Sequence, residues 1–156
     1  MIVIGEFQMI EKTLVFFKPD AIERNIVNDI FEKYIVGNGF KVVSLKPEIV
    51  TKEKILMHYK DNLKDKTLDI INRVIDFYNG KLIIILILEK ENAILEFRNI
   101  LGASDPIMAN KNTIRGEYAN DSYYIAEHEK RSCRNIMHAS DSKSSFKYEF
   151  SIWFNK

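Results

Sequence analysis

The sequence predicts an α/β fold, a four-stranded antiparallel sheet with helices packed on it in a split βαβ sandwich. Segments of strand character alternate with segments of helical periodicity in the order β-α-β-α-β-α, and a further strand and helix close the chain. At 156 residues with 46% apolar composition, the chain has the size of one domain with a sizeable core. No repeat, low-complexity tract or proline-rich linker interrupts it.

Local composition and turn residues indicate the first two elements. Residues 13–17 (TLVFF) are β-branched or aromatic except for one leucine, which predicts a strand. Pro19 and Asp20 beyond it suit the end of a strand that leads to a helix. Apolar residues then recur at helical spacing over 26–35, and the Gly-Asn-Gly sequence at 37–39 predicts the end of this helix.

The later elements follow from the same signals. The sequence predicts a strand over 40–50, helices over 51–59 and 67–78, a strand over 82–88, a helix over 91–101, a short strand over 135–138 and a closing helix over 142–154. The run LIIILIL at 82–88 is far shorter than the roughly 20 residues of a membrane-spanning helix, so it predicts a buried strand. Residues 103–134 are expected to be irregular. The opening MIVIGEFQMI lacks a basic start and is interpreted as a short leader over 1–10, followed by a single domain over 11–156.

Charge and cysteine content exclude several classes of protein. The 23 basic and 22 acidic residues leave a net charge of +1, which disfavours a non-specific binder of nucleic acid or anionic lipid. The single cysteine, Cys133, excludes a disulfide framework and a paired-cysteine metal site. It suits a reducing compartment, so we expect a cytoplasmic protein with no membrane and no specific nucleic-acid partner.

The densest polar sequence is NIMHASD at 135–141, which contains His138. A neutral imidazole is a competent nucleophile when a carboxylate accepts the proton of its other nitrogen, and Glu149 in the following helix is a candidate. The alternative is a capping turn, because Ser140, Asp141 and Ser142 suit the start of that helix. Taken alone, this motif favours the capping interpretation.

Further residues suggest a site for phosphate. Lys18 follows a strand, Arg98 lies near a helix end, and the sequences SDP at 104–106 and TIRG at 113–116 add a hydroxyl and a second arginine. Each feature alone is typical of a surface charge or a turn. Together they supply the cations and hydroxyl that bind transferred phosphoryl oxygens in a nearly neutral protein.

These sequences also resemble a known family. KTLVFFKPDAIER, HYKD, FRNILGASDP, NTIRGEY and RNIMHASDS are similar to motifs of the nucleoside diphosphate kinases, in the same order and over residues 12–154. The resemblance implies a ferredoxin-like sandwich. It also implies ping-pong transfer of the terminal phosphoryl of a nucleoside triphosphate to a nucleoside diphosphate, with magnesium on the nucleotide phosphates.

The resemblance assigns a role to each matching residue. His138 matches the phosphorylated histidine, and Ser140 and Glu149 match the residues that orient it. Lys18 matches the lysine that reaches the phosphates and a sugar hydroxyl. With His138, Ser140 and Glu149 it makes up the expected catalytic residues. The residues that match nucleotide-binding positions are Lys18, Tyr59, Leu68, Arg98, Ser104, Arg115 and Asn135. By the same resemblance we expect a homo-oligomer built on a dimer, up to a hexamer.

Four features depart from the family pattern. Leu68 stands where a phenylalanine commonly stacks on the base, and Ala139 replaces a glycine beside the histidine, where a modest geometric effect is expected. The tract 120–132 is longer than usual and is expected to be a charged surface loop with an exposed His128. The loop 107–112 and the short tail lack features that support hexamers. These departures keep open an alternative, a catalytically weak or inactive nucleotide-binding or interaction module of the same fold.

His58, among the lysines of 52–66, is interpreted as part of a solvated face.

Overall fold

The computed structural model describes residues 9–155. The elements run in the order β1 (Ile10–Phe17), α1 (Pro19–Glu23), α2 (Val27–Ile30) with a π-helical turn over Phe31–Val36, β2 (Lys41–Ile49), α3 (Lys52–His58), α4 (Lys60–Leu63), α5 (Leu68–Tyr78), β3 (Leu82–Glu91), α6 (Ala93–Leu101), a 3-10 turn (Pro106–Met108), α7 (Ile114–Tyr118), α8 (Tyr123–His128), β4 (Met137–Ala139) and α9 (Lys143–Trp153). Residues 1–8 of the predicted leader lie outside the described part of the chain, and Ile10 is already the first residue of β1.

The four strands form one antiparallel sheet in the order β2-β3-β1-β4. β1 pairs with β3 along its whole length, from Ile10 opposite Glu91 to Phe17 opposite Ile84. The short β4 pairs with the other side of β1 and sets His138 directly opposite Phe16. The predicted four-stranded antiparallel sheet with helices packed on it is confirmed.

Helices cover both faces of this sheet. On one face, Val15 and Phe17 of β1 pack with residues of α1, α2, α6 and α7. On the other face, Leu14 and Phe16 pack with residues of α3, α5 and α9, including Trp153. Successive residues of a strand point to opposite faces, so a strand that is apolar at every position is buried on both. This explains the continuous apolar runs at 14–17 and 82–88.

The structure differs from the sequence prediction between residues 103 and 139. The segment expected to be irregular contains the 3-10 turn, α7 and α8. Each of the two helices has only one or two turns and begins after a capping side chain: Thr113 accepts from the backbone of Gly116 at 3.1 Å, and Ser122 accepts from Ile125 at 3.1 Å.

The last strand also lies further along the chain than predicted, at Met137–Ala139 instead of 135–138. Ile136 has a φ of 79°, which no regular strand allows. Its N–H donates to the carboxylate of Asp20 at 3.1 Å, and its carbonyl accepts from the N–H of Lys18 at 2.8 Å. The strand therefore starts at Met137, two residues later than predicted. Among the described residues, no helix has the length and hydropathy that crossing a membrane requires.

Candidate active site

The candidate site lies beside the short strand β4. His138 is in β4, Lys18 follows the end of β1, Arg98 lies in the last turn of α6, and Arg115 lies in the first turn of α7. All four line one cleft of about 470 Å³. The antiparallel pairing of β1 with β4 brings Lys18 and His138 together although 120 residues separate them in the sequence. The cleft is also lined by four more residues that the sequence analysis selects: Tyr59, Ser104, Asn135 and Glu149.

A hydrogen-bonded chain fixes the imidazole of His138. Its Nε2 lies 2.7 Å from Oε1 of Glu149, and the hydroxyl of Ser140 donates to the same oxygen at 2.9 Å. A carboxylate only accepts hydrogen bonds, so Nε2 of the neutral ring carries the proton and Nδ1 keeps its lone pair. The capping interpretation holds for Ser142, whose hydroxyl accepts from the backbone of Ser145 at 3.0 Å, and not for Ser140.

The surroundings of His138 keep it uncharged. Burial, and then the positive charges of Lys18, Arg115 and Arg98, hold its pKa well below the usual histidine range. Burial also raises the pKa of Glu149. At neutral pH the ring is therefore a neutral base with one free nitrogen, which is the form that acts as a nucleophile.

Two aromatic groups hold the ring in place, and one of them is His58. Phe16, the cross-strand partner of His138, stacks on it with ring centroids 4.9 Å apart. His58 meets it edge-on at 4.4 Å. The interpretation of His58 as part of a solvated face is wrong, because its side chain is buried and its Nδ1 accepts from the indole N–H of Trp153 at 3.0 Å. Its spacing of three residues from the buried Ile55 is the sequence signal that places it on the inner face of α3.

Backbone carbonyls orient the two arginines. Arg115 donates to the carbonyls of Asn135 at 3.1 Å, Gly102 at 3.1 Å and Met137 at 2.7 Å. Arg98 donates to the carbonyl of Ala139 at 3.3 Å. A guanidinium has five N–H donors, so Arg115 keeps two for a ligand. Burial, and then the charge of Arg98, lower the pKa of Arg115 to about 10, so Arg115 is charged at neutral pH.

Lys18 and Asn135 form the next pair along the cleft. The ammonium of Lys18 donates to Oδ1 of Asn135 at 2.6 Å, and the amide of Asn135 donates to the carbonyl of Ser104 at 2.8 Å. Burial, and then the charge of Arg115, lower the pKa of Lys18 to about 8. Lys18 is therefore mostly charged at neutral pH, and its charge adds to those of the two arginines.

The structure does not bring Leu68 to this cleft. Leu68 is the first residue of α5, its side chain is 71% exposed, and it is not among the residues that line the cleft. Tyr59, by contrast, lies in the cleft, with its hydroxyl 2.9 Å from that of Tyr78. Ala139 pairs with Val15 in the sheet, so its methyl group belongs to ordinary strand geometry and not to a strained turn.

The inserted tract 120–132 is more ordered than a charged surface loop. It contains α8, and Ser122 and Ala126 are buried. Asp121 accepts two hydrogen bonds from the guanidinium of Arg131, at 2.6 and 3.0 Å, and a third from the backbone of Arg134 at 2.8 Å. The prediction of a loop is therefore wrong for this segment, whereas His128 is exposed as expected. The helix was missed because it is only 6 residues long and mixes polar with aromatic residues.

The fold and the cationic cleft beside His138 together indicate a phosphotransferase. A family profile described as nucleoside diphosphate kinase matches residues 11–156. The chain belongs to the nucleoside diphosphate kinase family.

Individual relatives agree with this assignment. The nucleoside diphosphate kinase of Clostridium perfringens is 35% identical over 147 residues, covering 94% of this chain and 93% of the relative. That of a Wolbachia strain from Culex pipiens is 34% identical, covering 93% of this chain and 94% of the relative. Among solved structures, the Borrelia burgdorferi enzyme, a transition-state mimic with bound vanadate and ADP, superposes with a TM-score of 0.87 at 28% identity. It covers 94% of this chain and 88% of that one. The Pyrobaculum aerophilum enzyme superposes with a TM-score of 0.81 at 27% identity, covering 95% of this chain and 97% of that one.

Proposed function

We propose that this protein transfers the terminal phosphoryl group of a nucleoside triphosphate to a nucleoside diphosphate through a phosphohistidine at His138. The single observation that carries the proposal is the 2.7 Å contact between Nε2 of His138 and Glu149, which leaves Nδ1 as the nucleophile beside three cations. The solved Borrelia relative holds ADP and vanadate, a match for the two halves of such a transfer.

The reaction runs in two displacements. In the first, the Nδ1 lone pair attacks the γ-phosphorus while the bond from that phosphorus to the bridging oxygen breaks, and the nucleoside diphosphate leaves with the electron pair. In the second, a terminal oxygen of another nucleoside diphosphate attacks the phosphorus and the P–N bond breaks. The proton on Nε2 stays on the hydrogen bond to Glu149, which stabilises the positive charge that develops on the ring.

The other residues of the cleft contribute to catalysis through their charge and by positioning the substrate. The transferred group has a loose transition state with charge on its equatorial oxygens, and catalysis consists mostly of holding that charge. We assign this role to Arg98, Arg115 and Lys18, with the hydroxyls of Tyr59 and Ser104 beside them. Asn135, fixed by Lys18 and Ser104, is assigned to the ribose.

We assign magnesium to the nucleotide phosphates and not to a site made by protein side chains alone. Among the described residues, the one group of three potential ligands is His58, His138 and Glu149, which holds two imidazoles, and Mg²⁺ prefers oxygen ligands. The carboxylates of Asp61 and Asp141 also line the cleft and would contact an ion that arrives on the phosphates. Bound there, the ion neutralises phosphate charge.

The alternative of an inactive module is not favoured, because the nucleophile, its orienting pair and all three cations are present and assembled in one cleft. We further propose a cytoplasmic location, which the free thiol of Cys133 supports. The chain is also proposed to form a homo-oligomer built on a dimer, with the edge strand β2 at the contact between copies.

The test is incubation of the purified chain with magnesium and γ-labelled ATP. We expect label that is stable to alkali, labile to acid, and discharged by added GDP. His138→Ala should form no label, and Glu149→Gln should form it about 100-fold more slowly, because an amide no longer fixes the ring with a charge. An unlabelled wild-type protein, or a His138→Ala variant that still transfers phosphoryl groups, would sink the proposal.

A further inference from the structure

A second cavity adjoins the catalytic cleft. It also measures about 470 Å³, and it lies between α5 and the inserted helix α8. The cavity and the cleft share the residues Lys18, Tyr59, Asn62, Tyr123 and Asn135. Because Asn135, which Lys18 contacts, is the residue assigned to the ribose, the cavity begins where a nucleotide continues from its ribose toward its base.

The chemistry of the cavity changes away from the cleft. The cleft side has the cations Arg98 and Arg115, whereas the cavity is lined by apolar side chains: Leu63, Ile70, Val74 and Phe77. Its polar lining away from the cleft includes Arg73 and Glu127, which pair at 2.7 Å, together with Arg131 and Ser132. Apolar faces with a few placed polar groups are typical of pockets for flat aromatic ligands.

Tyr123 is the aromatic side chain from α8 that borders both spaces. Its backbone N–H donates to Asp105 at 3.2 Å, and its ring is half exposed, at 50%. Arg73 of α5 donates to Glu127 of α8 at 2.7 Å and to Asp69 at 2.6 Å, which fastens α8 across the cavity. The ring is thus presented by a fixed backbone at the boundary between the two spaces.

We infer that the inserted helix α8 forms the base-binding wall of this protein, with Tyr123 supplying the aromatic surface against the nucleobase. The inference rests on the proposed function for the identity of the nucleotide. Leu68, at the position of the family's stacking phenylalanine, lines neither space, so the base contact passes to the insertion. Stacking on an aromatic ring accepts any base, and the Arg73–Glu127 pair faces the cavity where a base edge would lie.

Binding measurements on the full chain separate the base from the phosphates. Calorimetric titration gives the dissociation constant for ADP and, separately, for inorganic pyrophosphate, which has no base. Tyr123→Ala should weaken ADP binding about tenfold and leave pyrophosphate binding unchanged. Tyr123→Phe keeps the ring and should stay within about twofold of the wild type. Tyr124→Ala, at a neighbouring side chain that is 74% exposed and lines neither space, is the matched control.

Three results would overturn the inference: unchanged ADP binding by Tyr123→Ala, an equal loss for ADP and pyrophosphate, or a loss with Leu68→Ala in place of Tyr123→Ala. Thermal unfolding of each variant shows that the fold is kept. The labelling experiment on the wild type is run in parallel. Absence of phosphohistidine alongside a selective effect of Tyr123→Ala on ADP would reject the proposed function and leave the base wall in place.

Discussion

At the scale of single residues, the chemistry of the site depends on the protonation of the His138 ring and of the Lys18 ammonium. Glu149 accepts a hydrogen bond from Nε2 of His138 at 2.7 Å, and burial and the nearby cations keep the ring neutral. Burial, and then the charge of Arg115, lower the pKa of Lys18, and burial, and then the charge of Arg98, lower the pKa of Arg115. Burial and crowding of positive charge suit the proposed nucleophile and phosphate site, and together they bring the titration of Lys18 close to neutral pH.

This crowding predicts an alkaline limit to activity. The pKa of Lys18 is lowered to about 8, so its charge is present below that pH and is lost as the pH rises through it. We expect kcat/KM, which reports the free enzyme, to fall above about pH 8. In Lys18→Arg the guanidinium stays charged, and the fall should move toward pH 10, where Arg115 titrates.

The measurement is kcat/KM for ADP phosphorylation between pH 6 and about 10.5, with unfolding followed at each pH. Substrate phosphates are fully ionised above about pH 8, so they add no titration there. Lys52→Arg, at an exposed lysine of α3, is the control and should leave the profile unchanged. A Lys18→Arg profile that still falls near pH 8 would show that another group sets the limit.

At the scale of elements, a short helix positions Arg115, one of the side chains proposed to bind phosphate. α7 has only 5 residues, yet it carries Arg115, and it begins where the hydroxyl of Thr113 caps the N–H of Gly116. A Cβ on Gly116 would lie 1.8 Å from the carbonyl oxygen of Asn110. A side chain at 116 therefore cannot coexist with the present path of the loop before α7.

This close approach predicts that Gly116→Ala is strongly destabilising. The loop and α7 must separate, which costs about 3 kcal/mol or more in the free energy of unfolding and shifts Arg115. Urea denaturation gives the loss in stability, and pyrophosphate titration shows the weakened phosphate binding. Gly39→Ala is the control: its φ is 78°, but open space surrounds it, so it should cost only about 1 kcal/mol. Equal losses for the two variants would contradict the argument.

The same elements show how far sequence reasoning extends. The strands at 13–17 and 82–88 and the helices at 67–78 and 91–101 have long apolar patterns, and the structure contains all four close to the predicted bounds. α7 and α8 are too short to show a period, and their capping residues Thr113 and Ser122 are the signals that sequence reasoning passed over. Helices of this length depend on contacts elsewhere in the fold, which local composition does not contain.

At the scale of the whole molecule, the site is assembled from distant parts of the chain. Lys18 bonds Asn135 across 117 residues, and Trp153 bonds His58 across 95. The family resemblance supplied most of the cleft residues, because its motifs encode such long-range pairings. It did not supply His58, whose burial depends on Trp153, nor Tyr123, which lies on an insertion. Residues outside a shared motif reach the site only through tertiary packing, and these required the structure.

The sheet itself leaves an edge that predicts assembly. β2 is an edge strand, and three alternate apolar side chains along it are exposed: Val43 at 44%, Leu45 at 57% and Ile49 at 59%. An apolar edge with unpaired backbone groups favours pairing with another chain, and we propose that a second copy covers it.

Light scattering after size exclusion should give a mass that is a multiple of 18.3 kDa. Leu45→Lys should shift the wild-type assembly toward smaller species, because a charge on this edge opposes pairing. Leu95→Lys, at a single exposed leucine of α6, should not. A wild-type protein that elutes as an 18.3 kDa monomer, or an assembly indifferent to Leu45→Lys, would show that this edge is not where the copies meet.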